Sequence, residues 1–255
     1  MEIDVERIDD LTPEALKELR ERGATRLTLR VSEDDEEALS WASRLGFVAV
    51  SRTLTVDLDV LVRDLERAPR GPSSGSVHVQ TDDLPAVERG VRRFIPQLAG
   101  RSQGSVVVPP RNGWIGVYDE LADRDPSALR RLARELSDSL GVVVVGFGVE
   151  EGAVARYLVF DRGRMLDEYL SVQEYYGPLP SGEVVALAAN PTLVERLTGA
   201  ERRAVREAAV HGASPDELPS PAETVAALAS AMGIEGAEHG HAGAADEPGA
   251  IVIER

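Results

Sequence analysis

Alternation of apolar and polar positions gives the first elements. Arg26-Leu27-Thr28-Leu29-Arg30-Val31 repeats with period two, the pattern of a half-buried strand. Phe47-Val48-Ala49-Val50 and Thr53-Leu54-Thr55-Val56-Asp57-Leu58 read as two further strands. A helix begins at Thr12, a capping residue, with Pro13 in the first turn where a missing N–H is harmless. Leu16 and Leu19 give it an apolar face, and Gly23 stops it. A second helix starts between Ser32 and Asp35, where acidic side chains complement its N-terminal dipole. It turns Ala38, Leu39, Trp41, Ala42 and Leu45 inward and ends at Gly46. The order over residues 1–66 is α-β-α-β-β.

Residues 67–76 are rich in Pro, Gly and Ser and read as a linker. Beyond it, the chain predicts a strand at 76–80, a helix from Pro85 to about Leu98, and strands at 105–108 and 114–118 around a Pro109–Gly113 turn. Asp125 caps a helix running from Pro126 to Leu140-Gly141. Strands at 142–149, 153–160 and 164–170 follow, with Glu151-Gly152 and Arg162-Gly163 at the hairpin tips. Helix starts fall at Pro191, Ala200 and Ser220, the last within a capping box, Ser220-Pro221-Ala222-Glu223. Residues 236–255 read as a flexible tail in which Ile251-Val252-Ile253 can still form an edge strand. The predicted fold class is α+β: a small unit over 1–66, then a mixed-sheet unit over 77–235 with a helical C-terminal section.

Charge and composition narrow the function. The 255 residues carry a formal net charge of -16, with 44 acidic against 28 basic side chains. Such a surface repels phosphate, so neither nucleic acid nor an anionic membrane is an expected partner. No apolar run is long enough to span a bilayer. The acidic start, Met1-Glu2-Ile3-Asp4, lacks the layout of a signal peptide. Absence of cysteine excludes disulfides and thiolate metal sites, and a reducing cytoplasm is the expected location.

One stretch is similar to a known family. Leu27-Thr28-Leu29-Arg30-Val31, Asp35-Glu36-Glu37-Ala38, Arg44-Leu45-Gly46-Phe47 and the closing strand through Leu58 resemble the second half of the GNAT-type N-acetyltransferase fold. In that family a helix with an Asn-x-x-Ala pattern leads to a Leu-Gly-Phe turn and two antiparallel strands; here Asp35 replaces the asparagine. The resemblance implies an acetyl-CoA site on a glycine-rich loop at a helix N-terminus, whose amides hold pyrophosphate. The corresponding stretch here, Leu11-Thr12-Pro13-Glu14-Ala15, has no glycine, loses one N–H at Pro13 and adds negative charge at Glu14. The family's proton-donating tyrosine falls at Ala42. A truncated GNAT-like unit kept as a scaffold is the expectation, with no cofactor. The alternative is a divergent acetyltransferase that uses acetyl-CoA.

Other motifs are weaker. Gly71-Pro72-Ser73-Ser74-Gly75 and Gly100-Arg101-Ser102-Gln103-Gly104 match the Gly-x-Ser-x-Gly pattern of serine hydrolases, but both precede strands instead of forming a strand-to-helix elbow. Gly146-Phe147-Gly148 with Gly152 departs from dinucleotide-loop spacing and reads as a strand with packing glycines. His239 and His241 near Glu238 lack the ligand count of a held metal. His78 and His211 stand alone.

Trp114, Tyr118, Tyr157, Tyr169, Tyr175 and Tyr176, more than half of the 11 aromatic residues, cluster within a 63-residue window. Strand alternation brings Arg111, Trp114, Tyr157, Asp167 and Tyr169 to a candidate concave patch for a peptide or small ligand. The other account makes these rings the core and rim of the sheet. The expected function is therefore binding of a protein or small-molecule partner without catalysis, with the oligomeric state left open.

Overall fold

A computed structural model describes residues 70–97 and 102–254, residues 18, 19 and 21, and the backbone of strands β1 (Glu2–Val5), β2 (Arg26–Arg30), β3 (Val48–Val50) and β4 (Thr53–Asp57). Backbone contacts divide the chain into two units, Met1–Ala68 and Pro69–Arg255. In the first, the strands lie in the order β1-β2-β4-β3, with β1 parallel to β2 and the other pairs antiparallel. The three expected strands are present, and β1 adds a fourth. Asp35, Ala42, the Leu45-Gly46-Phe47 turn and residues 11–15 lie outside the described residues.

In the second unit, seven strands form an antiparallel sheet: β5 (Ser74–Gln80), β6 (Gly104–Arg111), β7 (Trp114–Asp119), β8 (Val143–Glu150), β9 (Val154–Asp161), β10 (Arg164–Leu170) and β11 (Ile251–Glu254). Their order is β10-β9-β8-β5-β7-β6-β11. Strand β5 starts two residues before the expected Ser76: Ser74 and Gly75, expected in the linker, already pair with Val149 and Gly148. The α+β class is as expected.

Both faces of this sheet are covered, and the strand sequences anticipate it. Runs such as Val142–Val145 are apolar without alternation, as strands buried on both sides must be. On one face Val77, Val79, Ile115, Val117, Val144, Leu158 and Phe160 pack beneath α1 (Leu84–Phe94) and α3 (Pro126–Leu140). A short helix, α2 (Glu120–Arg124), precedes α3. Asp125 caps α3 through Ser127 N, and Gly141, at φ 68, closes it. A Cβ on Gly148 would stand 3.3 Å from Leu129 of α3, so its absence lets the helix settle close to the sheet.

On the opposite face, Val145, Phe147, Tyr157, Val159 and Tyr169 pack against α5 (Pro191–Thr198), α6 (Arg202–Ala208) and α7 (Pro221–Ala231) through Val194, Val205, Val225 and Leu228. Helix α4 (Ser181–Ala186) leads into them. The expected capping box at Ser220 and Glu223 is formed. The helix expected at Ala200 begins two residues later.

Residues 236–254 are not a loose tail. Ala237 and Ala244 are buried, a short helix α8 (His241–Ala244) forms, and β11 pairs with β6 with Ile253 buried.

Candidate binding surface

The β6–β7 hairpin is the part of the candidate patch nearest solvent. Its turn is Asn112-Gly113, both with positive φ (52 and 79), the Asn-Gly signature of a tight hairpin turn. Strand β6 runs on through Pro109 and Pro110, which sequence alone assigned to the turn; its register against β7 shifts between Val108 and Arg111. A bulge there accommodates two residues that cannot donate to a ladder.

The five candidate residues separate into two groups. Trp114, Tyr157 and Tyr169 do share a sheet face. That face is covered by the C-terminal helices, and Tyr157 and Tyr169 have no exposed surface. The Tyr157 hydroxyl donates to Asp167 Oδ2 at 2.6 Å, and the Asn190 amide donates to the same oxygen at 3.0 Å. Asn190 in turn caps α5. Tyr157 stacks on Tyr169 at 5.3 Å between centroids, and the Tyr169 hydroxyl donates to the Val210 carbonyl. Burial raises the Asp167 carboxyl above its ordinary range, against hydrogen bonds from Tyr157 and Asn190 that lower it; burial likewise raises Tyr157. Tyr157, Asp167 and Tyr169 therefore hold the helices to β9 and β10 and do not line an open concavity. Arg111 lies apart, donating to Glu247 Oε2 at 2.6 Å.

Beside Arg111 and Trp114 the chain leaves a small cleft, lined also by Tyr118, Glu235 and Glu247. Its space, about 10 Å³, admits one water-sized molecule. The cleft is roofed by the segment from Glu235 to Ala250, and the ties are polar. Tyr118 donates to the Gly236 carbonyl at 2.9 Å and Asn112 to Glu235 at 2.9 Å. Ser76 Oγ donates to the Ala237 carbonyl at 3.1 Å. Asp123 accepts from the His241 amide at 2.9 Å with one oxygen and from the Gly75 amide at 2.9 Å with the other. Burial raises the Asp123 carboxyl, partly countered by those two amides.

The remaining chemical candidates are also engaged. His78 Nε2 lies 3.0 Å from Ser76 Oγ, and burial lowers the imidazole to about 3. Ser73 Oγ accepts from the Glu151 amide at 2.8 Å, and Ser102 bonds to Asp119 at 3.2 Å. At the other end of the sheet, Arg156 is buried between Glu150 and Glu168, and Tyr176 donates to Glu150. Among the described residues no group of three His, Asp or Glu side chains is placed to hold a metal ion. No helix among them is long and apolar enough to cross a membrane.

The Asn112-Gly113 turn and the neighbouring aromatics were visible in the sequence. Glu235, Glu247 and Asp123, which fasten the roof, were not, because each pairs with a residue more than 100 positions away. Comparison with protein-family models, with characterised proteins and with solved structures gives no match to this chain.

Proposed function

We propose that this chain is a non-catalytic cytoplasmic protein that binds a partner, with the face around Trp114 and Tyr118 as the contact region and a protein segment as the favoured ligand. The observation that carries this reading is the cleft beside Arg111 and Trp114: its volume suits a water molecule and not a substrate. The internal engagement of Ser73, Ser76, His78 and Ser102 also supports it, since a nucleophile needs a reachable oxygen and an available base.

In this proposal residues 1–66 are a truncated GNAT-like scaffold. The antiparallel pairing of β3 with β4 supports that likeness, because two antiparallel strands are what the resemblance implies for residues 47–58. The glycine-free Leu11–Ala15 stretch, with Glu14 adding negative charge, disfavours acetyl-CoA binding. Titrating acetyl-CoA into the full chain is expected to give no saturable heat. Tight binding accompanied by acetyl transfer to an amine would overturn the proposal in favour of a divergent acetyltransferase.

A further inference from the structure

Resting on that binding reading, we infer that the edge of β6 over Gly104–Val107 is a strand-accepting seat. Its resident occupant, Ile251–Glu254, is displaceable by an extended partner segment carrying aliphatic side chains two residues apart.

The seat is defined by four observations. Strand β11 lies antiparallel on β6, pairing Ile251 with Val107, Val252 with Val106, Ile253 with Ser105 and Glu254 with Gly104. Ile253 is buried in the core beneath α1 and α3 and Ile251 packs at its margin, whereas Val252 is 57% exposed. The chemistry admitted is therefore an aliphatic residue, any residue, then an aliphatic residue. Second, Pro109 and Pro110 deprive the next stretch of β6 of donors, so strand addition is confined to Gly104–Val107. Third, Gly104 has φ 144, and a Cβ there would come within 2.3 Å of the Ile253 carbonyl oxygen; the seat needs this glycine.

The fourth observation concerns how lightly the occupant is held. Between Glu235 and Ala250 the fully buried side chains are Ala237 and Ala244, which bring little apolar area. Yet they cover Val106, Val108, Trp114 and Tyr118, an apolar and aromatic platform. The attachment is otherwise polar, through Arg111–Glu247, Asn112–Glu235 and Asp123–His241. Arg111 and Glu247 are both partly open to solvent, where ion pairs are weak. One buried isoleucine must offset the ordering of a four-residue strand, which places this strap at the low-stability end of the molecule. A partner strand would reuse the same ladder, the mode known as β-augmentation.

The absence of cysteine makes the test clean. Val106 and Val252 are cross-strand partners, and paired Cα atoms in antiparallel strands lie about 4.5–5.5 Å apart, within disulfide reach. In the full chain, Val106→Cys with Val252→Cys locks the strap when oxidised, and Ile253→Asp unseats it. The probe is a fluorescent peptide with the sequence of residues 249–255. Saturable binding is expected for Ile253→Asp, at least tenfold tighter than for wild type. Binding should vanish in the oxidised lock, return on reduction, and vanish again when Gly104→Val is added to Ile253→Asp. A folded Ile253→Asp chain that ignores the peptide, or a lock that binds as well as its reduced form, overturns the inference. Should Ile253→Asp not fold, Arg111→Ala serves instead, with amide exchange over 235–254 expected to quicken at least tenfold; exchange as slow as in β8 overturns it. A dimer of exchanged strands, seen by light scattering, would assign the seat to a second copy and overturn the partner reading. Acetyl transfer would sink the binding proposal while leaving the peptide result standing, so the two failures are distinguishable.

Discussion

His78 shows how much a single buried group can set. Ser76 Oγ has one proton and gives it to the Ala237 carbonyl, so the 3.0 Å contact must be donated by His78 Nε2–H. That contact places a proton on Nε2, and burial favours the neutral ring, edge-on to the rings of Tyr118 and Phe147. Burial lowers it from an ordinary value near 6.5 to about 3. Between those two values the unfolded chain binds a proton that the folded chain refuses. This group's contribution is therefore present above pH 6.5 and is lost as pH falls, by about 1.4 kcal/mol per pH unit at most. Urea unfolding of His78→Gln is expected to show a stability drop from pH 7 to pH 4.5 smaller than wild type by about 2 kcal/mol. The same drop in both proteins would show that the imidazole is hydrated. The raised carboxyls of Asp123 and Asp167 have the opposite sign, and they cancel in the comparison because both proteins carry them. Tyr157→Phe tests the neighbouring network. It removes the 2.6 Å bond to Asp167 but leaves the Asn190 amide, and a loss of about 1–3 kcal/mol in chemical denaturation is expected.

At the scale of elements, glycines separate two costs. Gly113 and Gly152 both have positive φ, 79 and 61. A Cβ on Gly113 meets nothing, whereas one on Gly152 falls 2.6 Å from Gly71, on backbone that cannot swing aside. Gly113→Ala is expected to cost only the left-handed conformation, about 1–2 kcal/mol. Gly152→Ala should cost clearly more, and equal unfolding midpoints would show that Gly71 yields. Sequence legibility follows the same division between local and distant causes. The Arg164–Leu170 strand, the Asp125 and Gly141 caps of α3 and the Ser220 box rest on neighbouring residues and were readable. Residues 74–75 and 236–250 were misread as linker and loose tail, since serine, glycine and alanine conceal contacts that only distant partners reveal, whereas the aliphatic run Ile251-Val252-Ile253 was readable as an edge strand. The candidate patch was half legible. Alternation put Trp114, Tyr157 and Tyr169 on one face, but nothing local states that α5 to α7 return to cover it.

For the whole molecule, the question is which part carries the fold. The unit from Pro69 to Arg255 buries apolar side chains on both faces of its own sheet, and at that size such a core is expected to fold by itself. Trp41 lies in one unit and Trp114 in the other, so each has its own fluorescent reporter. Trp114 is buried among residues of the second core, so Trp41→Phe leaves an emission that reports that core alone. In guanidinium this signal is expected to shift to the red in one cooperative step. A chain of residues 69–255 should match its midpoint and retain the β-rich far-UV spectrum. A gradual, uncooperative change in the shorter chain would mean that the two apolar layers do not suffice. A preserved step would confine the search for a partner to a unit whose sheet, helices and strap are complete without the first 68 residues.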